Sequence, residues 1–142
     1  MTSRPSTAVL AAALAVAALA AGCAPQTSTS SKSVSKFPGD QRAVAQTIED
    51  LQSAADSSDE TKICTQVLTR ALAAQLARGG HGCAQVVNLA IKDTDSTDMT
   101  VEAVRITGNR AVARVKFETG KKDRRANIVL VREGGGWRIA GF

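Results

Sequence analysis

The sequence predicts an α+β fold in which N-terminal helices pack on a curved antiparallel sheet. Three observations carry this. Apolar residues recur at three- and four-residue spacing up to about residue 91, then switch to alternation from Met99 onward. The dipeptide Gly108-Asn109 separates two alternating runs, as the two-residue connection of a β-hairpin does. Gly134-Gly135-Gly136 then leads into a last short run ending at Phe142. Helices gathered first and a strand meander last is the segregated order of an α+β domain.

The first helix follows Pro38-Gly39, with Asp40 as its expected cap and Val44, Ile48, Leu51 and Ala55 on one stripe. Ser57-Ser58-Asp59-Glu60 has capping-box spacing and predicts a second start before Ile63, Val67 and Leu68. Leu72 and Leu76 continue that stripe until Gly79-Gly80 stops it. Thr69 is also a competent cap, which leaves one helix or two open here. Cys83 to Ile91 predicts a further helix, with Val86, Val87 and Ala90 at helical spacing. The strands are expected at Met99–Thr107, Arg110–Glu118, Arg124–Arg132 and Trp137–Phe142. On the second of them Ala111, Ala113, Val115 and Phe117 form the inward row, and Arg110, Arg114, Lys116 and Glu118 face outward with Val112. Ile128-Val129-Leu130-Val131 is apolar on both faces, so Val129 and Val131, with Val112, predict a sticky outer face that a second copy or another protein would cover.

Before this domain the chain has a different character. MTSRPST carries one cation and no acid, and Ala8 to Ala21 is a run of 14 residues holding only Ala, Val and Leu. A bilayer-spanning helix needs about 20 apolar residues, so the run predicts an export signal over residues 1–22 rather than a span. Leu19-Ala20-Ala21-Gly22-Cys23 resembles the lipobox of bacterial lipoproteins. That resemblance implies a diacylglyceryl thioether on Cys23, cleavage before it, and a protein held by its lipid on the extracytoplasmic face of the cell membrane. Residues 23–38, with the Ser/Thr-rich stretch APQTSTSSKSVSK, are expected to be a flexible tether. Residues 39–142 then form one domain of ordinary size.

Export permits disulfides, and with Cys23 lipidated the remaining pair, Cys64 and Cys83, is predicted to form one. A metal site on Cys64, His81 and Cys83 lacks a fourth ligand, and no Cys-x-x-Cys exists for redox work. His81 is the chain's one histidine and lies between glycines in a loop. Asp93, Asp95 and Asp98 lack the glycine and distal glutamate of a calcium loop and read as a solvated turn. No metal, cofactor or catalytic residue is therefore expected. Charge is lopsided: residues 40–100 hold five basic and nine acidic side chains, residues 101–142 ten basic and four acidic. With three Phe, one Trp and export, nucleic-acid binding is not expected. A basic face beside an anionic membrane gains about 1 kcal/mol per charge, but a solvated face that keeps the protein soluble is the favoured reading.

The helix-then-meander order, closing on Val131-Arg132-Glu133-Gly134-Gly135-Gly136-Trp137-Arg138-Ile139, resembles the nuclear transport factor 2-like (cystatin-like) superfamily. Cys64-Thr65-Gln66-Val67-Leu68-Thr69, with Cys83 downstream, is similar to small secreted members from actinobacteria. The resemblance covers about residues 40–142 and implies a cone with an internal cavity. Enzymes of that superfamily, such as ketosteroid isomerase, place acids and a tyrosine in the cone, and this chain has no tyrosine. The strand that such folds often carry between their helices is not recognisable here. If a cavity exists, Val44, Ile48, Leu51, Ala113, Val115, Phe117, Leu130 and Trp137 are expected to line it; a filled core is the alternative. The expected function is a membrane-anchored lipoprotein with a non-catalytic domain that binds a small apolar ligand. A ligand-free interaction module of the envelope, or an unusual enzyme of the same fold, remain as alternatives.

Overall fold

Pro38, in extended backbone, leads into helix α1 (Gly39–Asp56) of the computed structural model, which describes residues 34–94, 98–119 and 122–142. The export signal, Cys23 and the tether as far as residue 33 lie outside the described residues. The rest of the tether does not behave as its composition predicts. Val34 and Phe37 are buried and join the core, and the Phe37 carbonyl accepts from Arg42 Nε at 2.9 Å. Two apolar side chains among serines suffice to fold this segment onto the domain. Asp40 is not the cap: it lies inside the first turn and pairs with Arg132 Nη2 at 2.5 Å, fixing the helix start to the sheet. An acid there still favours the helix dipole.

The capping box is replaced by a neighbouring arrangement. Ser58 adopts φ +52°, which brings Asp59 rather than Ser57 into the capping position. Asp59 accepts from Lys62 N at 2.9 Å and starts α2 (Glu60–Lys62). Ser57 instead donates back to the Ser53 carbonyl at 2.8 Å. Helix α2 widens into a π-turn over Ile63–Val67, closed by the Leu68 amide donating to the Ile63 carbonyl at 2.9 Å. The chain then leaves the helix for one residue. Leu68 bridges Ile139 in parallel, and the Thr69 amide donates to the Ile139 carbonyl at 2.8 Å. Thr69 Oγ1 accepts from Leu72 N at 3.2 Å and caps α3 (Arg70–Leu76), so the stripe is two helices. Leu68 is a single bridge residue, and no strand lies between the helices among the described residues. Helix α4 (Cys83–Lys92) completes the layer.

The sheet is an antiparallel meander of β1 (Asp98–Thr107), β2 (Arg110–Thr119), β3 (Lys122–Glu133) and β4 (Gly136–Gly141), in that spatial order. Gly108 takes φ +57° at the first central position of the β1–β2 turn, where a side chain would be strained. Pairing of β2 with β3 continues to Thr119 and Lys122, beyond the expected ends. Lys116 Nζ holds this extension, meeting Glu118 at 2.5 Å and Asp123 at 3.5 Å. Glu102 on β1 and Ala140 on β4 are left without register partners, and each bulge bends its strand.

The bulge at Glu102 also decides how the β1 edge is protected. Residues 99 and 104 differ by an odd number and would otherwise offer their backbone groups to opposite sides. With one residue inserted, both turn toward α1. Gln52 Oε1 accepts from Met99 N at 3.1 Å, and Gln41 Nε2 donates to the Val104 carbonyl at 3.1 Å. Eleven helical residues and five strand residues each span about 16 Å, so the two glutamines reach both points at once. At the other edge, Leu68 and Thr69 cover Ile139. Unpaired edges invite another chain; side chains of α1 meet the β1 edge, and the backbone at Leu68 and Thr69 meets the β4 edge.

The core lies between α1 and the sheet. Val44, Ala45 and Ile48 face Ala111, Ala113, Val115, Ile128, Leu130 and Ile139, all buried. Fully burying a Val, Ile or Leu side chain contributes about 1.5–3 kcal/mol. The alanines of β2 let the helix approach, and the Thr47 hydroxyl, shared between the Ala43 and Trp137 carbonyls at 3.1 and 3.2 Å, ties α1 to β4. No helix among the described residues is long and apolar enough to cross a membrane.

Candidate functional site

The sheet outruns the helix that covers it. Helix α1 ends at Asp56, while β2 and β3 continue past the level of Val115 to Phe117 and Arg124, which lie opposite each other in register. Helix α4 closes this end from the other side, and small side chains leave the space between it and the sheet unfilled. Ala55 on α1, Ala90 on α4 and Ala126 on β3 face a groove of about 790 Å³. Its floor and walls are mostly apolar: Leu51 from α1, Ile63 from the π-turn and Leu68 just after it, Leu76 from α3, Val86, Val87 and Ile91 from α4, and Met99 and Phe117 from the sheet, with Gln52, Ser58 and Thr94 as polar members. Phe142, 71% exposed, forms part of the lip. The volume suits a small organic molecule.

The groove lies mostly apart from the residues expected to line an internal cavity. Of the eight residues predicted to line it, Leu51 and Phe117 reach the groove. Val44, Ile48, Ala113, Val115 and Leu130 are at most 1% exposed and fill the core between α1 and the sheet. Trp137 pairs with Arg132 at the far end of β3, its ring 4.7 Å from the Arg132 guanidinium carbon. Eight strand residues separate Arg132 from Arg124, about 26 Å. Trp137 therefore does not face the groove. Alternation along β2 identified the inward row correctly but does not say where the covering helix ends. The groove residues on α4 were visible as a stripe; their use as a wall was not.

Two connections hold α4 in place. The Cys64–Cys83 disulfide joins the π-turn to the first residue of α4. Asn88 Nδ2 donates a short hydrogen bond to Glu60 Oε1. That donation, helped by a backbone amide, holds the Glu60 carboxyl below its ordinary value. His81, between these segments, is exposed and touches neither connection.

Polar groups gather at the rim. Arg125 Nε lies 3.0 and 3.1 Å from the two Glu102 carboxylate oxygens, and Arg114 meets the same carboxylate at 3.6 Å. Arg124 has no ion pair among the described residues. Asp56 is the carboxylate among the lining residues, which include no His, Tyr or Cys. No group of three or more His, Cys, Asp and Glu able to hold a metal occurs among the described residues. On the outer sheet face Val112 lies opposite Val129, and both are half-buried, as is Val131. Ion pairs flank them: Arg114 and Arg125 with Glu102 on one side, and Lys116, whose ammonium is held above its ordinary value chiefly by Glu118, beyond.

No family model matches the chain, and no curated protein matches it. Among solved structures it is similar to a designed NTF2-like protein whose title records five substitutions. The two are 18% identical, the match covers 70% of this chain and 95% of the other, and the TM-score is 0.46.

Proposed function

We propose that this chain is a lipid-anchored, extracytoplasmic binding protein whose domain holds a small apolar molecule in the groove between α4 and the open end of the sheet. The groove carries the proposal. Its walls come from four helical and three strand elements and are mostly apolar, and α4 is tied by a disulfide to the π-turn. Burial would supply the affinity, at about 25 cal/mol per Å² of apolar surface removed from water. The lining offers no nucleophile with an adjacent base, so binding rather than turnover is the reading these residues favour. The lipobox resemblance at Cys23 supports the anchor, and the nuclear transport factor 2-like resemblance of the sequence supports a cone that holds a guest. The half-buried pair Val112 and Val129 favours a second, lesser reading, docking of a copy or partner on the outer sheet face.

Native mass spectrometry of the protein extracted from its own membranes tests anchor and ligand together. The expected mass carries acyl groups on Cys23 and an additional non-covalent apolar component. In vitro, the neutral dye Nile red should bind the domain, and Ala90→Phe, which fills the groove, should abolish binding while folding is retained. Dye binding unchanged by Ala90→Phe places the guest elsewhere and refutes the assignment.

A further inference from the structure

The inward row of β3 runs Leu130, Ile128, Ala126 and then Arg124, so the core row ends on a cation. Alternation puts Arg124 on the groove side, opposite Phe117, and both line the groove. Its neighbour Arg125 also lines the groove, but its guanidinium is paired with Glu102 on β1. Arg124 has no such partner: no ion pair joins it to Asp56 or to any other described acid. Lys122, two residues further along the same row, is exposed and likewise unpaired among the described residues. The groove is thus apolar inside and cationic at one lip, with Asp56 as the opposing charge across it.

Resting on the groove-binding reading, we propose that the ligand is an anionic amphiphile: a single apolar tail lies in the groove, and its carboxylate or phosphate head meets Arg124 at the lip. Arg presents a planar fork of N–H donors that matches either head bidentately. Its aliphatic stem can lie along Phe117 while the guanidinium stays in water. A neutral ligand of the same tail would gain the burial and forgo the charge-assisted bonds. Arg124 is then the specificity-determining residue of the groove, and Lys122 raises the local concentration of anions without touching the head.

Titration calorimetry of the chain carrying Cys23→Ala, so that no acyl group of its own competes, tests this with three ligands of one tail length: decanoate, decyl phosphate and decanol. Decanoate and decyl phosphate should bind about ten-fold more tightly than decanol, a difference that shrinks with added salt. Arg124→Gln should bring both anions to the affinity of decanol and leave decanol unchanged, with an unaltered melting temperature because the side chain is exposed. Arg110→Gln, at the other end of β2 and outside the groove lining, should change the three ligands by less than about two-fold. Equal binding of anions and decanol, or an Arg124→Gln variant that weakens all three alike, overturns this inference and leaves the groove reading standing. Failure of all three to bind overturns both.

Discussion

Removing the Cys64–Cys83 bond should loosen one wall of the groove and lower the stability of the whole domain. The perturbation is Cys64→Ala with Cys83→Ala, compared with reduction of the native chain. The bridged residues are 19 apart in sequence, and the chain-entropy relation gives about 3 kcal/mol for a loop of that length. A domain of about 100 residues unfolds with an entropy of roughly 0.2 kcal/mol/K, so the melting temperature should fall by about 15 °C. Part of the wall survives the cut, because Asn88 still bonds Glu60 and Val87 is still buried. The variant should therefore unfold cooperatively, with amide exchange accelerated over Cys83–Lys92 and unchanged in β2 and β3. Circular dichroism melts and hydrogen exchange by mass spectrometry read the two effects. A melting temperature within about 3 °C of the native value would refute the reasoning, as would exchange that rises evenly across the sheet. Either result would mean that α4 is held by packing and that the bridge restrains nothing in the folded domain.

Gln52→Ala removes the groups that meet Met99 N and Asp98, and should cost about 1–3 kcal/mol by leaving a backbone amide unpaired; the exchange rate of the Met99 amide checks it. Ala113→Leu overfills the contact between α1 and β2 and should cost about 1–3 kcal/mol; a neutral result in urea unfolding would show that space remains there. The Glu60 carboxyl is held below 4.5 chiefly by Asn88, so its contribution is present above the ordinary value and is lost as pH falls through the folded one. Melting temperatures of the native chain and Glu60→Gln, followed from pH 7 to pH 3, should accordingly converge toward the acid end; parallel curves would contradict the assignment.

Much of this protein follows from local pattern. Alternation in Arg110–Glu118, the turn glycines at 108 and 134–136, and the stripe through Val44 and Ile48 each fix a period and a face, and these depend only on residues near one another in the chain. The disulfide was legible for a different reason: removing Cys23 from the count leaves one pairing. What the sequence could not determine are contacts whose partners are far apart. Asp40 looks like a cap until Arg132, 92 residues away, takes its carboxylate. Thr69 becomes a helix start because its amide is drawn to Ile139 and the π-turn releases Leu68. Val34 and Phe37 read as tether because two apolar residues among serines carry no period, and only a neighbouring core gives them somewhere to go. The groove is the extreme case. It exists because α1 stops at Asp56 while β2 and β3 run on, and because three alanines from three elements meet there. A void is a property of relative lengths and placements in space, and no stretch of sequence encodes it by itself.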